Sequence, residues 1–289
     1  PDDVDVCICA DLDEVFVPGW RSELEKIWYD GLNRLRYVYN WSLDDEGRPI
    51  VNFYIEKIHS RHGYKWTHPV HEVLSYIGDG NEVAVTTDEI TVNHYPDNNK
   101  SRCSYLPLLE LSVEEDPEDD RNMHYLGREY MYYAYWEKCI NTLKRHLSLE
   151  TATWNLERAA SMRYIARSYY YLHNEAETEH WYKKAIKEAS NVREGYVELA
   201  SIYYEEKDFK TAFNYLNMAS KIKEKPKTYI NEEFSWNSYF YDLYSIVALN
   251  IGEKELALEN AKIALELNPE DERIKRNVKY MEELINPEN

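Results

Sequence analysis

Asp11-Leu12-Asp13-Glu14 follows an apolar run, Val4 to Ala10, and precedes Val15-Phe16-Val17-Pro18-Gly19-Trp20. Carboxylates two residues apart at the end of a strand point the same way. Asp11 and Asp13 can therefore share one hard divalent cation, which can in turn bridge the phosphates of a nucleotide diphosphate. The chemistry would be neutralisation of a departing diphosphate. Asp-x-Asp is a weak signal in a chain with 53 acidic residues, and its place after a buried strand is what strengthens it.

A second group lies between Lys57 and Leu74. Five of the nine histidines fall between His59 and His94, and Lys57, His59, Arg61, His62, Lys65, His68 and His71 form a local basic stretch interleaved with Tyr64 and Trp66. Two readings stay open. One is a polar surface hairpin with satisfied histidines. The other is a cationic, aromatic wall for a sugar diphosphate and an acceptor hydroxyl, with a carboxylate at hand to take the hydroxyl proton. A third feature, Val92-Asn93-His94-Tyr95-Pro96, puts a histidine at the end of the last expected strand.

The elements that must position these residues change character near residue 100. Before it, Val4 to Ala10, Arg34 to Trp41, Asn52 to Ile58 and Ile90 to His94 read as strands, separated by turns such as Asp45-Glu46-Gly47-Arg48-Pro49 and Gly78-Asp79-Gly80-Asn81. Leu24, Ile27, Trp28 and Leu32 recur at helical spacing over Trp20 to Leu32. After Asn98-Asn99-Lys100 nearly everything to Ile285 carries a helical period. The fold class is thus α/β over residues 1–100, followed by an all-α repeat array over 101–289.

The helical half repeats itself. Gly127, Ala166, Ala200 and Ser245 occupy one helix-crossing position, and Thr178, Ala212 and Ala257 lie twelve residues further on in the last three units. The interval from Ala166 to Ala200 is 34 residues, the tetratricopeptide period. The flanking intervals of 39 and 45 imply insertions around Leu149 to Arg158 and around Lys225 to Ser235. Antiparallel helices pack closely only where small side chains face each other, which is why these positions mark the repeat. Ala257, Ala261 and Ala264 with Asn268-Pro269 close the last unit, and Glu270 to Leu284 reads as a capping helix. Tyr130, Tyr132, Tyr133, Tyr135, Trp136 and Tyr169 to Tyr171 read as repeat packing, with an aromatic face for a peptide or protein partner as the sharper alternative.

A formal charge of −19 repels phosphate polyanions at long range and argues against nucleic acid or an anionic membrane as partner. No run of eighteen apolar residues appears, and Cys7, Cys9, Cys103 and Cys139 lack zinc-site spacing, so a reduced cytoplasmic protein is expected. Cys7 and Cys9 are expected at buried strand positions.

Asp11-Leu12-Asp13-Glu14-Val15-Phe16, then Trp66 with Pro69-Val70-His71-Glu72-Val73-Leu74, then His94-Tyr95, resembles the glycosyltransferase family 2 enzymes of GT-A fold related to bacterial lipopolysaccharide-core glucosyltransferases, several of which carry tetratricopeptide repeats after the catalytic domain. The resemblance implies a metal site, Mn2+ or Mg2+, at Asp11 and Asp13 completed by His94. It implies Glu72, with His71 beside it, as base for an inverting transfer from a nucleotide-diphosphate sugar to an acceptor hydroxyl or thiol. Lys57, Arg61 and Lys65 would hold the diphosphate and Trp66 would stack on a sugar ring. The acceptor would be a glycan, a lipid-linked sugar or a peptide, with the repeats binding it, a separate protein partner or a second copy. Family members have a nucleotide-binding half upstream of Asp-x-Asp, where this chain has ten residues, so residues 1–100 correspond to the acceptor and metal side of the domain. Two rivals are a non-catalytic tetratricopeptide scaffold with a degenerate transferase remnant and, lacking a compact His-Glu-x-x-His motif, a metal-dependent hydrolase.

Overall fold

The computed structural model describes residues 6–96 and 105–285. Asn98-Asn99-Lys100, where the composition changes, lies outside the described residues, as do Val4, Asp5 and Cys103. The chain divides into two compact units, one comprising residues 1–117 with 227–229 and the other 118–226 with 230–289.

The first unit is built on a five-stranded sheet of β1 (Val6–Ile8), β2 (Glu14–Phe16), β3 (Arg34–Leu43), β4 (Pro49–Ser60) and β7 (Ala84–His94), in the order β1-β4-β3-β7-β2. All pairings are antiparallel except β3 with β7, which run parallel with Arg34 opposite Ala84 and Asn40 opposite Asn93. β1 is an edge strand, and Cys7 and Cys9 are half-buried, not enclosed. The β3–β4 turn closes as its sequence suggests. Asp44 Oδ1 accepts from the Glu46 and Arg48 amides at 3.0 and 2.8 Å, and Gly47 takes a φ of 79°.

The helix α1 (Trp20–Ile27) is shorter than its apolar spacing predicts. Trp28 turns extended and Gly31 adopts a φ of 92°, so Leu32 reaches the core from a turn instead of a helical face. Leu24, Leu35, Tyr37, Tyr39, Ile58, Ile90 and Val92 form that core. β7 begins six residues before its apolar signal, since Thr86-Thr87-Asp88-Glu89 reads as polar while its backbone still pairs with β3 or continues that strand. A separate two-stranded sheet, β5 (Tyr64–Thr67) with β6 (Val73–Tyr76), realises the hairpin reading of the histidine-rich segment. The helix α2 (Tyr105–Glu115) belongs to this first unit.

The second unit is a run of four helical hairpins. They are α3 (Asp120–Tyr132) with α4 (Trp136–Ser148), α5 (Asn155–Tyr171) with α6 (Glu175–Glu188), α7 (Glu194–Glu205) with α8 (Phe209–Ser220), and α9 (Ser238–Asn250) with α10 (Lys254–Leu267), followed by α11 (Glu272–Ile285). Each hairpin closes through three residues, and the middle one is left-handed every time: Ala134, His173, Lys207 and Gly252, with φ of 57°, 56°, 63° and 92°. Those positions are separated by 39, 34 and 45 residues, the same intervals as the small crossing residues.

Ala166, Ala200, Ser245, Ala212 and Ala257 are fully buried at the crossings. Gly127 allows the close approach there, because a Cβ on it would fall 2.2 Å from Leu143 Cδ2 and force a shift. Cys139, an isolated thiol by sequence, is the small crossing residue of α4 and is fully buried. Asn174 and Asp208 cap α6 and α8 through the amides of Glu177 and Thr211. The extra length enters as an added turn at the start of α5, which runs to 17 residues, and in residues 221–237 between α8 and α9, which include a short 3-10 turn at Glu233–Ser235.

Candidate functional site

The sheet unit gathers the acidic motif around one cation, Lys57. Its Nζ donates to Asp11 Oδ2 and to Glu14 Oε1, both at 2.7 Å. Burial works against the charge on Lys57, and hydrogen bonds to Asp11 and Glu14 outweigh it, holding the pKa above its ordinary value. β1 runs into this turn from its pairing with β4, and the Cys9 amide still bonds to Lys57 O at 2.9 Å, so strand pairing sets the spacing.

Asp13 lies apart from that group, beside His94. β2 pairs with β7 so that Glu14 sits opposite His94, and the Tyr95 amide donates to Asp13 O at 2.8 Å. His94 Nδ1 donates to Trp41 O at 3.0 Å, since a carbonyl can only accept. The other ring nitrogen, Nε2, lies 3.5 Å from Asp13 Oδ2. The ring stacks on Trp41 and Tyr39 at 4.6 and 5.8 Å between centroids. A backbone carbonyl fixing the tautomer of a histidine whose other nitrogen faces a carboxylate is the arrangement a metal ligand uses. Asp11, Asp13 and His94 do not bring three ligand atoms within 4.8 Å of one another, as far as the described residues show. A shared ion would have to draw Asp11 away from Lys57.

The remaining expected residues are on the small hairpin. Lys65 and Trp66 are exposed on β5, and Glu72 is exposed in the turn before β6. His71, with a φ of 53°, packs on the Tyr105 ring of α2 at 5.4 Å. Arg61 precedes the hairpin and is partly covered. Arg34 fastens the hairpin to the sheet. It donates to Leu74 O at 2.8 Å, lies over the Tyr64 ring and pairs with Glu56 and Glu82. Arg34 and Asn40 are six residues apart on β3, roughly 20 Å of strand, and Asn40 bonds Asn93 beside His94. The hairpin is thus anchored at one end of β3 and the Asp13–His94 pair sits at the other.

The helical unit contains a polar centre that sequence reading missed. Arg163 and Arg167 of α5 are clamped by Glu198 of α7 and by Glu232, with four contacts of 2.6–2.8 Å, and Tyr182 OH donates to Glu198 at 2.9 Å. Burial pushes the Glu198 carboxyl up, and Arg167 and Arg163 more than reverse that, so it lies below the usual carboxylate range. The only sequence signal is charge inside otherwise apolar helix faces, Arg163 next to Ile165-Ala166 and Glu198 next to Leu199-Ala200. At the turn edge of the first two hairpins, Tyr132, Tyr133, Tyr135, Tyr170 and Tyr171 are exposed, while Tyr130 is buried. Tyr133 and Tyr135 stack at 6.0 Å, and Trp136 lies flat on Tyr171 at 4.5 Å, joining one hairpin to the next.

No family model matches the chain, and the search of curated proteins finds no match. Among solved structures, YrrB, "a TPR protein with an unusual peptide-binding site", is 15% identical with a TM-score of 0.48, over 61% of this chain and 83% of that one. PilF of Pseudomonas aeruginosa is 14% identical with a TM-score of 0.47, over 61% of this chain and 71% of that one. MamA is 16% identical with a TM-score of 0.43, over 58% and 83%. The tetratricopeptide character of the second unit rests on its own geometry: paired antiparallel helices, a left-handed residue repeated in every turn, and small residues at the crossings.

Proposed function

We propose that the chain is a tetratricopeptide interaction scaffold, and that its helical unit docks a protein segment rich in basic and apolar residues. The exposed aromatic edge of the first two hairpins carries this reading. Exposed tyrosines that stack on each other offer large, rigid contact area at low entropic cost, the property of interface anchors. Their surroundings favour a cationic partner. Glu137 and Glu175 are exposed beside them, Tyr170 OH donates to Glu205, and Lys138 lies 5.0 Å over Tyr130 and 5.5 Å over Tyr135, so these rings already accept a cation.

The test is an array of immobilised peptides of graded charge and aromaticity, probed with the full chain and with the triple variant Tyr132→Ser, Tyr133→Ser, Tyr171→Ser. Basic, apolar peptides should bind the native chain and lose on the order of tenfold or more with the variant, the scale of a lost anchor. Equal binding by both proteins, or a preference for acidic peptides, sinks the proposal.

A second reading, metal-dependent sugar transfer from a nucleotide-diphosphate donor, is favoured by one observation, the orientation of His94 Nε2 toward Asp13. In that reading Asp13 and His94, with Asp11 released from Lys57, would hold Mn2+ or Mg2+, and the ion would supply charge neutralisation on the diphosphate. Glu72 or His71 would serve as base, and Lys57, Arg61, Lys65 and Trp66 would line the donor. Calorimetry with Mn2+ discriminates: binding abolished by Asp13→Ala and weakened by His94→Ala supports this reading, and no saturable binding removes it.

A further inference from the structure

The second unit encloses a group of side chains that neither reading uses. His124 of α3, His146 of α4 and Glu157 and Ser161 of α5 meet where three successive helices pack, and all four are buried, the histidines and the serine completely. Ser161 Oγ lies 2.7 Å from His124 Nδ1 and 3.1 Å from His146 Nδ1. The two Nε2 atoms have no hydrogen-bond partner, although both are buried. His146 Nε2 stands 3.4 Å from Glu157 Oε1, and one ligand atom from each of His124, His146 and Glu157 lies within 4.8 Å of the other two.

We propose that His124, His146 and Glu157 form a binding site for a borderline divalent transition-metal ion, Zn2+ foremost, with Ser161 as the residue that orients both imidazoles.

The chemistry of each atom supports the assignment. A ligating histidine uses one nitrogen on the metal and donates from the other to a fixed acceptor. A serine oxygen has two lone pairs and accepts from both Nδ1–H groups at once. In that arrangement both Nε2 atoms are left without a hydrogen-bond partner, which is costly inside a protein unless something takes them. Two ligand atoms each about 2.0–2.1 Å from a tetrahedral ion are about 3.4 Å apart, the separation seen between His146 Nε2 and Glu157 Oε1. Two histidines and one carboxylate are a zinc donor set. Arg128, Arg163 and Arg121 also act electrostatically on His124. Those guanidiniums also oppose a cation. Arg163 is offset by Glu198 and Glu232, at 2.6 and 2.8 Å, and the Glu157 charge favours a cation at the site itself. The ligands come from three helices of two adjacent hairpins, so the ion would clamp the first hairpin to the second.

The experiment uses the full chain, stripped with a chelator and retitrated with Zn2+ and Co2+ against a chromophoric competitor, with thermal unfolding recorded at each step. One equivalent should bind, raise the melting temperature of the helical unit, and give a Co2+ spectrum of tetrahedral nitrogen and oxygen ligation without a thiolate charge-transfer band. His124→Gln and Glu157→Gln should each weaken binding at least tenfold, whereas Asp13→Ala and His94→Gln leave this site unchanged. Ser161→Ala keeps every ligand and should cost about tenfold or more, the usual scale for an orienting partner. It keeps the test decisive should the ligand variants fold poorly. A folded native chain with no saturable Zn2+ binding, a thiolate band, or affinity unmoved in Glu157→Gln and Ser161→Ala overturns the proposal.

Discussion

The Arg163–Arg167 network of one unit and the Lys57 cluster of the other hold their charges differently. In the helical unit Arg163 and Arg167 are satisfied by carboxylates from α7 and from the connection before α9, so several segments converge on one largely buried network. In the sheet unit Lys57 keeps two carboxylates company at a strand end, and one of them, Asp11, is largely open to solvent. A charge whose partners are mostly buried has little water to fall back on, whereas a half-open one does. The Arg163–Arg167 network is therefore brittle toward loss of a partner, and the Lys57 cluster is forgiving enough to release a carboxylate.

The largest effect should come from Glu198→Gln, which leaves Arg163 and Arg167 sharing the single carboxylate of Glu232. The helical transition in urea should lose about 3–5 kcal/mol, the range for an uncompensated buried charge; a loss below about 1 kcal/mol would mean that water reaches the network. Gly127→Ala comes next. The added methyl meets Leu143, forcing α3 and α4 apart at a cost of about 1–3 kcal/mol, read as a lower midpoint of the helical transition.

Lys57→Met probes the same question in the sheet unit. It leaves Glu14 poorly paired but frees Asp11, so stability should fall by about 1–2 kcal/mol. A loss as large as that of Glu198→Gln would erase the distinction between the units.

A smaller test uses pH. Burial foremost, with help from Arg34, depresses the His59 pKa below its ordinary value of about 6.5. The unfolded chain then binds the proton first, so stability is complete above that pH and declines as pH falls through the interval down to the folded pKa, by at most about 1.4 kcal/mol per pH unit. His59→Gln should flatten this slope in the sheet transition alone, and an unchanged slope assigns it to another group. The smallest effect is expected of Lys207→Gly. The left-handed turn then carries no Cβ, and the helical unit should gain roughly 0.5–1 kcal/mol.

Much of the helical unit could be read in advance because its contacts are local. Gly127, Ala166, Ala200 and Ser245 recur wherever one hairpin packs against itself, and the turn residues recur at the same intervals. The position of α11 follows from the polar face of the last segment. In the sheet unit the strands around Arg34 to Trp41 and Asn52 to Ile58 were legible from their apolar runs. β2, the polar first half of β7 and the pairing of β3 with β7 were not, since their hydrogen bonds join residues about fifty to eighty positions apart and leave no periodic trace.

The candidate sites divide along the same line. The order of Asp11, Asp13, Glu72 and His94 along the chain is a property of the sequence, and so are the repeat period and the excess of acid. Which acid meets which base was decided only in three dimensions. Strand pairing hands Asp11 to Lys57 and Asp13 to His94, and Arg34 fastens the hairpin carrying Glu72 at the far end of β3. Helix packing joins Arg163 to Glu232 across 69 residues and closes His124, Ser161 and His146 around one oxygen. The physical reason is range. Helical propensity and small-residue spacing act within one or two turns and their immediate partner helix, so they are written locally. The partner of a buried charge or a bare imidazole nitrogen is whatever polar atom the rest of the fold delivers to the same few ångströms.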